Sequence, residues 1–167
     1  MFLVQPVKAQ SEADALAAIK LATNPTTKLA AAEDFVAKFP QSNARLSVAE
    51  LVAAELQKIK NGAVALALLE RAQAVFTATQ EREVLKPVAL TAYVLGNRPD
   101  EAFTLAGEML AKNPDDVAVL AQMTQLGAEE ARKRNQKYAD VSLQYGLKAI
   151  ALIEADKKQA HDKDLGQ

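Results

Sequence analysis

Two segments of the chain end in the same way, and that ending constrains the fold more than any other feature. Phe35-Val36-Ala37-Lys38-Phe39-Pro40 and Met109-Leu110-Ala111-Lys112-Asn113-Pro114 each close an apolar helical pattern on a proline. Proline lacks the backbone N–H and pushes its predecessor out of the helical region, so both patterns must stop there. Ahead of the second lies Gly96-Asn97-Arg98-Pro99-Asp100-Glu101-Ala102, a junction between two helices. Helix pairs that stop at a proline and start again are the mark of a helical repeat array. The expectation is an all-α chain of about eight helices in four antiparallel hairpins.

The helix boundaries follow from capping and periodicity. A first helix is predicted from Glu12 to Ala22, with Ser11 and Asp14 as a capping box. A second starts at Asn24-Pro25, with asparagine as cap and proline at the first helical position, and ends before Pro40. A third runs from Asn43 to Lys60 behind Ser42, its apolar face carrying Leu46, Ala49, Val52, Ala53, Leu56 and Ile59. Asn61-Gly62 reads as a left-handed stop. A fourth helix, Ala63 to Thr77, is apolar over most of its circumference. A fifth spans Glu81 to Leu95 with Pro87 in its first turns, and a sixth follows Pro99 with Gly107 mid-helix. That glycine predicts close approach of a neighbouring helix. The seventh is placed from Asn113-Pro114 to Arg134. The eighth, Lys137 to Lys157, has Tyr138, Val141, Tyr145, Ala149 and Leu152 along one face.

Residues 81 to 114 resemble a tetratricopeptide repeat. Leu85, Val88, Ala89 and Ala92 stand where that family packs its first helix, and Gly96 stands at its inter-helix turn. Ala102 fills the small-residue contact, Met109-Leu110 the second-helix packing positions, and Pro114 the terminal proline. The turn holds one extra residue, and the family's tryptophan, first-helix glycine and second-helix aromatic are missing. Gly62, Ala67 and Ala74 fit a second copy, and Lys148-Ala149-Ile150 the end of a last one. The resemblance covers residues 11 to 157. It implies a right-handed stack of antiparallel hairpins, a TPR-like α-solenoid. Pro40 and Pro114 lie about 74 residues apart, or about 37 per repeat, against a family period of about 34. That excess predicts extended third and seventh helices.

Composition removes several functional classes. The chain has 167 residues and a net charge of −1, so no long-range field draws it to nucleic acid. Aromatic residues make up only 5% and tryptophan is absent, which disfavours base stacking. Without cysteine there is no disulfide, thiolate zinc site or cysteine nucleophile. No apolar run reaches the roughly 18 residues of a membrane span. Residues 1–10 contain Phe2-Leu3-Val4 and Val7-Lys8-Ala9, which resemble the end of an export signal. An exported and a cytoplasmic location both stay open. Residues 158–167 form a polar tail, expected to be disordered.

Catalytic chemistry is not expected, nor is a metal or cofactor site. No glycine spacing suits a phosphate-cradling loop. The single histidine, His161, lies in the polar tail, where neither a triad nor a metal site is expected. Asp115-Asp116 and Glu129-Glu130 read as helix-end charges and partners of Lys133 or Arg134.

Two candidate binding features are left. In the resembled family, first helices line a concave groove. Carried over, the fifth helix would present Glu83, Lys86, Leu90, Tyr93 and Val94 to a protein or peptide. The alternative is that Leu90 and Tyr93 pack inside the array. A basic patch, Arg132, Lys133, Arg134 and Lys137, suits a phosphate or an acidic peptide, or else complements the carbonyls ending the seventh helix. Lys20 and Asn24 have the spacing of the family's carboxylate clamp, but Asn24 is needed as a cap. The leading expectation is a non-catalytic module that binds a protein or peptide partner. The alternative is a structural or self-associating unit, dimerising through its almost uniformly apolar fourth and eighth helices, or an accessory domain of a longer protein.

Overall fold

A computed structural model describes the backbone of residues 11–164 and the side chains of residues 11–158. The signal-like segment 1–10 and the side chain of His161 lie outside the described residues. Eight α-helices and no strand occur among the described residues. They are α1 (Glu12–Leu21), α2 (Pro25–Lys38), α3 (Arg45–Leu56), α4 (Gly62–Val75), α5 (Thr79–Leu95), α6 (Pro99–Lys112), α7 (Val117–Arg132) and α8 (Ala139–Asp164). The chain divides into two compact units, one ending at Gly96 and one beginning at Asn97.

In the first unit each helix packs against the next in sequence, and α1, α2 and α3 also against the next but one. Its interior is built from Ile19, Leu29, Phe35, Val48, Val52, Phe76 and Leu85, none more than 1% exposed. The expected caps form. Ser11 Oγ accepts from the Asp14 N–H while the Asp14 carboxylate accepts from the Ser11 N–H. Asn24 Oδ1 accepts from the Thr27 N–H at 2.9 Å.

Asn61-Gly62 is not a left-handed stop. Asn61 is extended and caps α4, accepting from the Val64 N–H at 3.1 Å. Gly62 is needed for a different reason: a Cβ there would stand 2.1 Å from the Leu95 carbonyl oxygen, so the start of α4 lies against the end of α5. The left-handed residues are Asn97 (φ 55°) and Arg134 (φ 67°). Nor is α3 extended. It begins two residues later than Asn43 and stops at Leu56. The fifth helix starts earlier than expected, which places Pro87 well inside it.

The second unit packs α6 on α7 and α7 on α8. The Asn113-Pro114 pair does not begin α7. Asn113 ends α6, and Asp116 caps α7 by accepting from the Val119 N–H at 3.1 Å. Between α7 and α8 two small residues interlock with two hydroxyl residues. A Cβ on Gly127 would lie 1.7 Å from Ser142 Oγ, and one on Gly146 3.0 Å from the Thr124 methyl. Ser142 Oγ is buried and has no hydrogen-bond partner. α8 continues to Asp164, seven residues past the expected end, because Lys157, Lys158, Gln159 and Ala160 all favour helix.

Gly107 approaches nothing: it is exposed, and a Cβ there would meet no atom within 4 Å. The expected helix contact is absent, and the residue only weakens α6. Gly107→Ala is therefore expected to stabilise the second unit by about 0.5 to 1 kcal/mol. A urea unfolding midpoint no higher than wild type would contradict this.

Candidate functional site

The starts of α3 and α5 flank an open pocket of about 560 Å³ in the first unit. Its rim is the segment Pro40, Gln41, Ser42 and Asn43, which follows the proline stop of α2. Its other wall is Thr77, Ala78 and Gln80. At its base Arg45 and Glu81 form a forked pair: Nε donates to Oε1 at 2.8 Å and one terminal nitrogen to Oε2 at 3.0 Å. The guanidinium also donates to the carbonyls of Val75 (3.3 Å) and Pro40 (3.4 Å). Glu81 accepts from the Ala78 N–H at 3.0 Å, closing the first turn of α5 where alanine cannot cap.

The electrostatics of this pair are those of a structural joint. Burial alone would raise the Glu81 carboxyl. The Arg45 hydrogen bonds, the backbone N–H groups of Ala78 and Thr77 and the guanidinium charge outweigh it and hold the carboxyl below its ordinary value. Because the native pKa is depressed, the pair's stabilisation is fully present above about pH 4.5, the ordinary value, and is lost as pH falls through the native value. Acid titration of the melting temperature should show this loss in wild type and a flatter profile in Glu81→Gln. Equal profiles would remove the pair from the acid response.

Each nitrogen of the Arg45 fork is thus directed to Glu81 or a backbone carbonyl. Among the described residues no cluster of three or more acids or histidines is placed to hold a metal ion, and no helix is long and apolar enough to cross a membrane.

The groove residues expected on α5 do not share one surface. Leu90 is 1% exposed and belongs to the core. Glu83 is exposed, whereas Lys86, Tyr93 and Val94 are half-buried, and Lys86 pairs with Glu83 at 3.1 Å. The basic patch is likewise divided. Lys133 donates to Glu130 and to Asn97, both at 2.7 Å. Lys137 pairs with Asp100 and sits 5.2 Å from the centre of the Tyr138 ring. Tyr138 donates to the same Asp100 carboxylate and stacks on Phe103 with ring centres 4.2 Å apart. Arg132 and Arg134 are exposed. All four side chains are exposed, and Lys133 and Lys137 also tie the segment between α7 and α8 to acidic partners.

Two features escaped the sequence reading. One is the Arg45–Glu81 pair, whose partners stand 36 residues apart. Glu33–Arg71, Asn97–Lys133 and Asp100–Lys137 recur at separations of 38, 36 and 37, close to half the distance between Pro40 and Pro114. The other is which residues of the apolar eighth helix face outward: Leu143, Leu147, Ile150 and Ile153 are 63, 61, 55 and 42% exposed. The three-and-four spacing was legible, but the inner face of the same helix drew the assignment.

Compared with protein-family models, curated proteins and solved structures, the chain matches none.

Proposed function

We infer that the chain is a non-catalytic module of TPR-like helix hairpins, stacked in a right-handed array, that binds a protein or peptide. The array reading is supported by the recurrent side-chain ties one repeat apart, as expected where each hairpin leans on its neighbour. The binding reading rests on the outer face of α8. Four large apolar side chains at helical spacing, all 42% exposed or more, form a patch of the kind soluble monomers rarely leave uncovered. Covering each would contribute about 1 to 2 kcal/mol. A face of this geometry suits an amphipathic helix laid along it. The α5 surface, now Glu83, Lys86, Tyr93 and Val94 without Leu90, offers less apolar area.

Site-specific photo-crosslinking tests this. A benzophenone amino acid at position 147 is expected to give a discrete polypeptide adduct in an extract of the source cells, and one at position 93 is expected to give little. Absence of any polypeptide adduct at both positions would count against a binding module.

A further inference from the structure

We propose that the outer face of α8 pairs with the same face of a second copy of this chain, antiparallel, with Leu147 of one copy against Ile150 of the other. The proposal rests on the binding reading above and names its partner. Along the exposed side of α8 the residues at alternating spacings of three and four are Asp140, Leu143, Leu147, Ile150, Glu154 and Lys157. This is a heptad seam of about 27 Å, with all six side chains exposed. Its opposite face, carrying Ser142 and Ala149, is buried, so the helix has one side in its own unit and one side to offer.

The sequence of the seam selects both partner and direction. Two such helices laid antiparallel about the midpoint between Leu147 and Ile150 bring Leu147 onto Ile150 twice at the centre. Next outward, Leu143 meets Glu154, whose methylene stem covers it while the carboxylate reaches water. At each end Asp140 meets Lys157 of the other copy. The seam is therefore self-complementary: apolar in the middle and closed by an opposite-charge pair at both ends. A parallel pairing in register would set Asp140 on Asp140, Glu154 on Glu154 and Lys157 on Lys157, and like charges face to face oppose it. Ala151 beside the seam is small and exposed, which lets the backbones approach. A single helix pair lies at the small end of stable interfaces, so dissociation in the range of roughly 1 to 100 µM is expected.

Sedimentation equilibrium of the full chain from about 1 to about 200 µM brackets an interface of that size. The expected result is a reversible shift from the 17.9 kDa monomer to a dimer. Leu147→Glu with Ile150→Glu should abolish the shift without changing the helical circular dichroism, since both side chains are exposed. Asp140→Lys alone should weaken association at least several-fold. Adding Lys157→Asp should restore it, because the swapped charges again meet as opposites only in the antiparallel arrangement. A wild type that remains monomeric to the top of the range overturns the proposal, as does a dimer indifferent to Leu147→Glu and Ile150→Glu, or a charge swap that does not rescue. A monomer that still yields a position-147 adduct to a different polypeptide would sink self-pairing while leaving the binding reading in place; a monomer with no adduct would sink both.

Discussion

Arg45→Met is expected to lower the stability of the first unit by about 3 kcal/mol, among the largest single losses the chain should show. Glu81 is 3% exposed, and its carboxylate is held by the Arg45 fork and the Ala78 N–H. Removing the guanidinium strands a charge with only backbone donors left, and an unpaired buried charge costs about 3 to 5 kcal/mol. The lower figure applies here because the pair stands at the base of an open pocket. The reverse change should be milder: Arg45 is 18% exposed, so in Glu81→Gln it can turn toward water, with a loss of about 1 to 2 kcal/mol. Arg45→Met combined with Glu81→Leu should recover most of the deficit, since a well-packed apolar pair replaces both partners. Urea titrations of the three variants decide it. If the double variant is no more stable than Arg45→Met, the loss comes from the methylene packing of Arg45 and not from a stranded carboxylate.

Gly127→Val should be comparably damaging in the second unit. Even the Cβ of alanine at 127 would stand 1.7 Å from Ser142 Oγ and 2.4 Å from Ser142 Cβ, so turning the hydroxyl does not relieve the overlap. Either α7 and α8 separate along their packed length or the side chains leave their rotamers, at about 3 kcal/mol for valine. Gly127→Ala should lose less, and Ser142→Gly in the same chain should return part of it by vacating the space. Thermal melts would refute the close-approach account if Ser142→Gly gave no rescue. Ser142→Ala alone should be neutral or slightly stabilising, because it removes a buried hydroxyl that has no partner.

The helices were legible because their ends are written in single residues. Ser11 with Asp14, Asn24-Pro25 and Pro99 all act where the sequence placed them. The misplacements share a cause, which is that one local signal fits two neighbouring roles. Asn61 next to Gly62 reads equally as the end of one helix or the cap of the next, and the approach of the Leu95 carbonyl selects the cap. Asn113-Pro114 repeats the letters of Asn24-Pro25, but Asp116 supplies the side-chain oxygen, so the helix starts beyond the proline. A mid-helix glycine predicts a close contact equally at 107, 127 and 146, yet the contacts lie at 127 and 146, a distinction carried by the opposite helix. The α5 groove lost Leu90 because that side chain is buried along with Leu85, Val88, Ala89 and Ala92. The exposed apolar face lies instead on α8, whose apolar residues exceed what one packed side can use.

The side-chain ties that span 36 to 38 residues bear on how the chain finds its shape. The side-chain ties Glu33–Arg71 and Asp100–Tyr138 span only 38 residues each, so no long loop must close before such contacts form. Low relative contact order of this kind goes with refolding in milliseconds or less. Helices that pack on their neighbours in sequence can form early, so a chain emerging from the ribosome can begin to organise while its later helices are still being made.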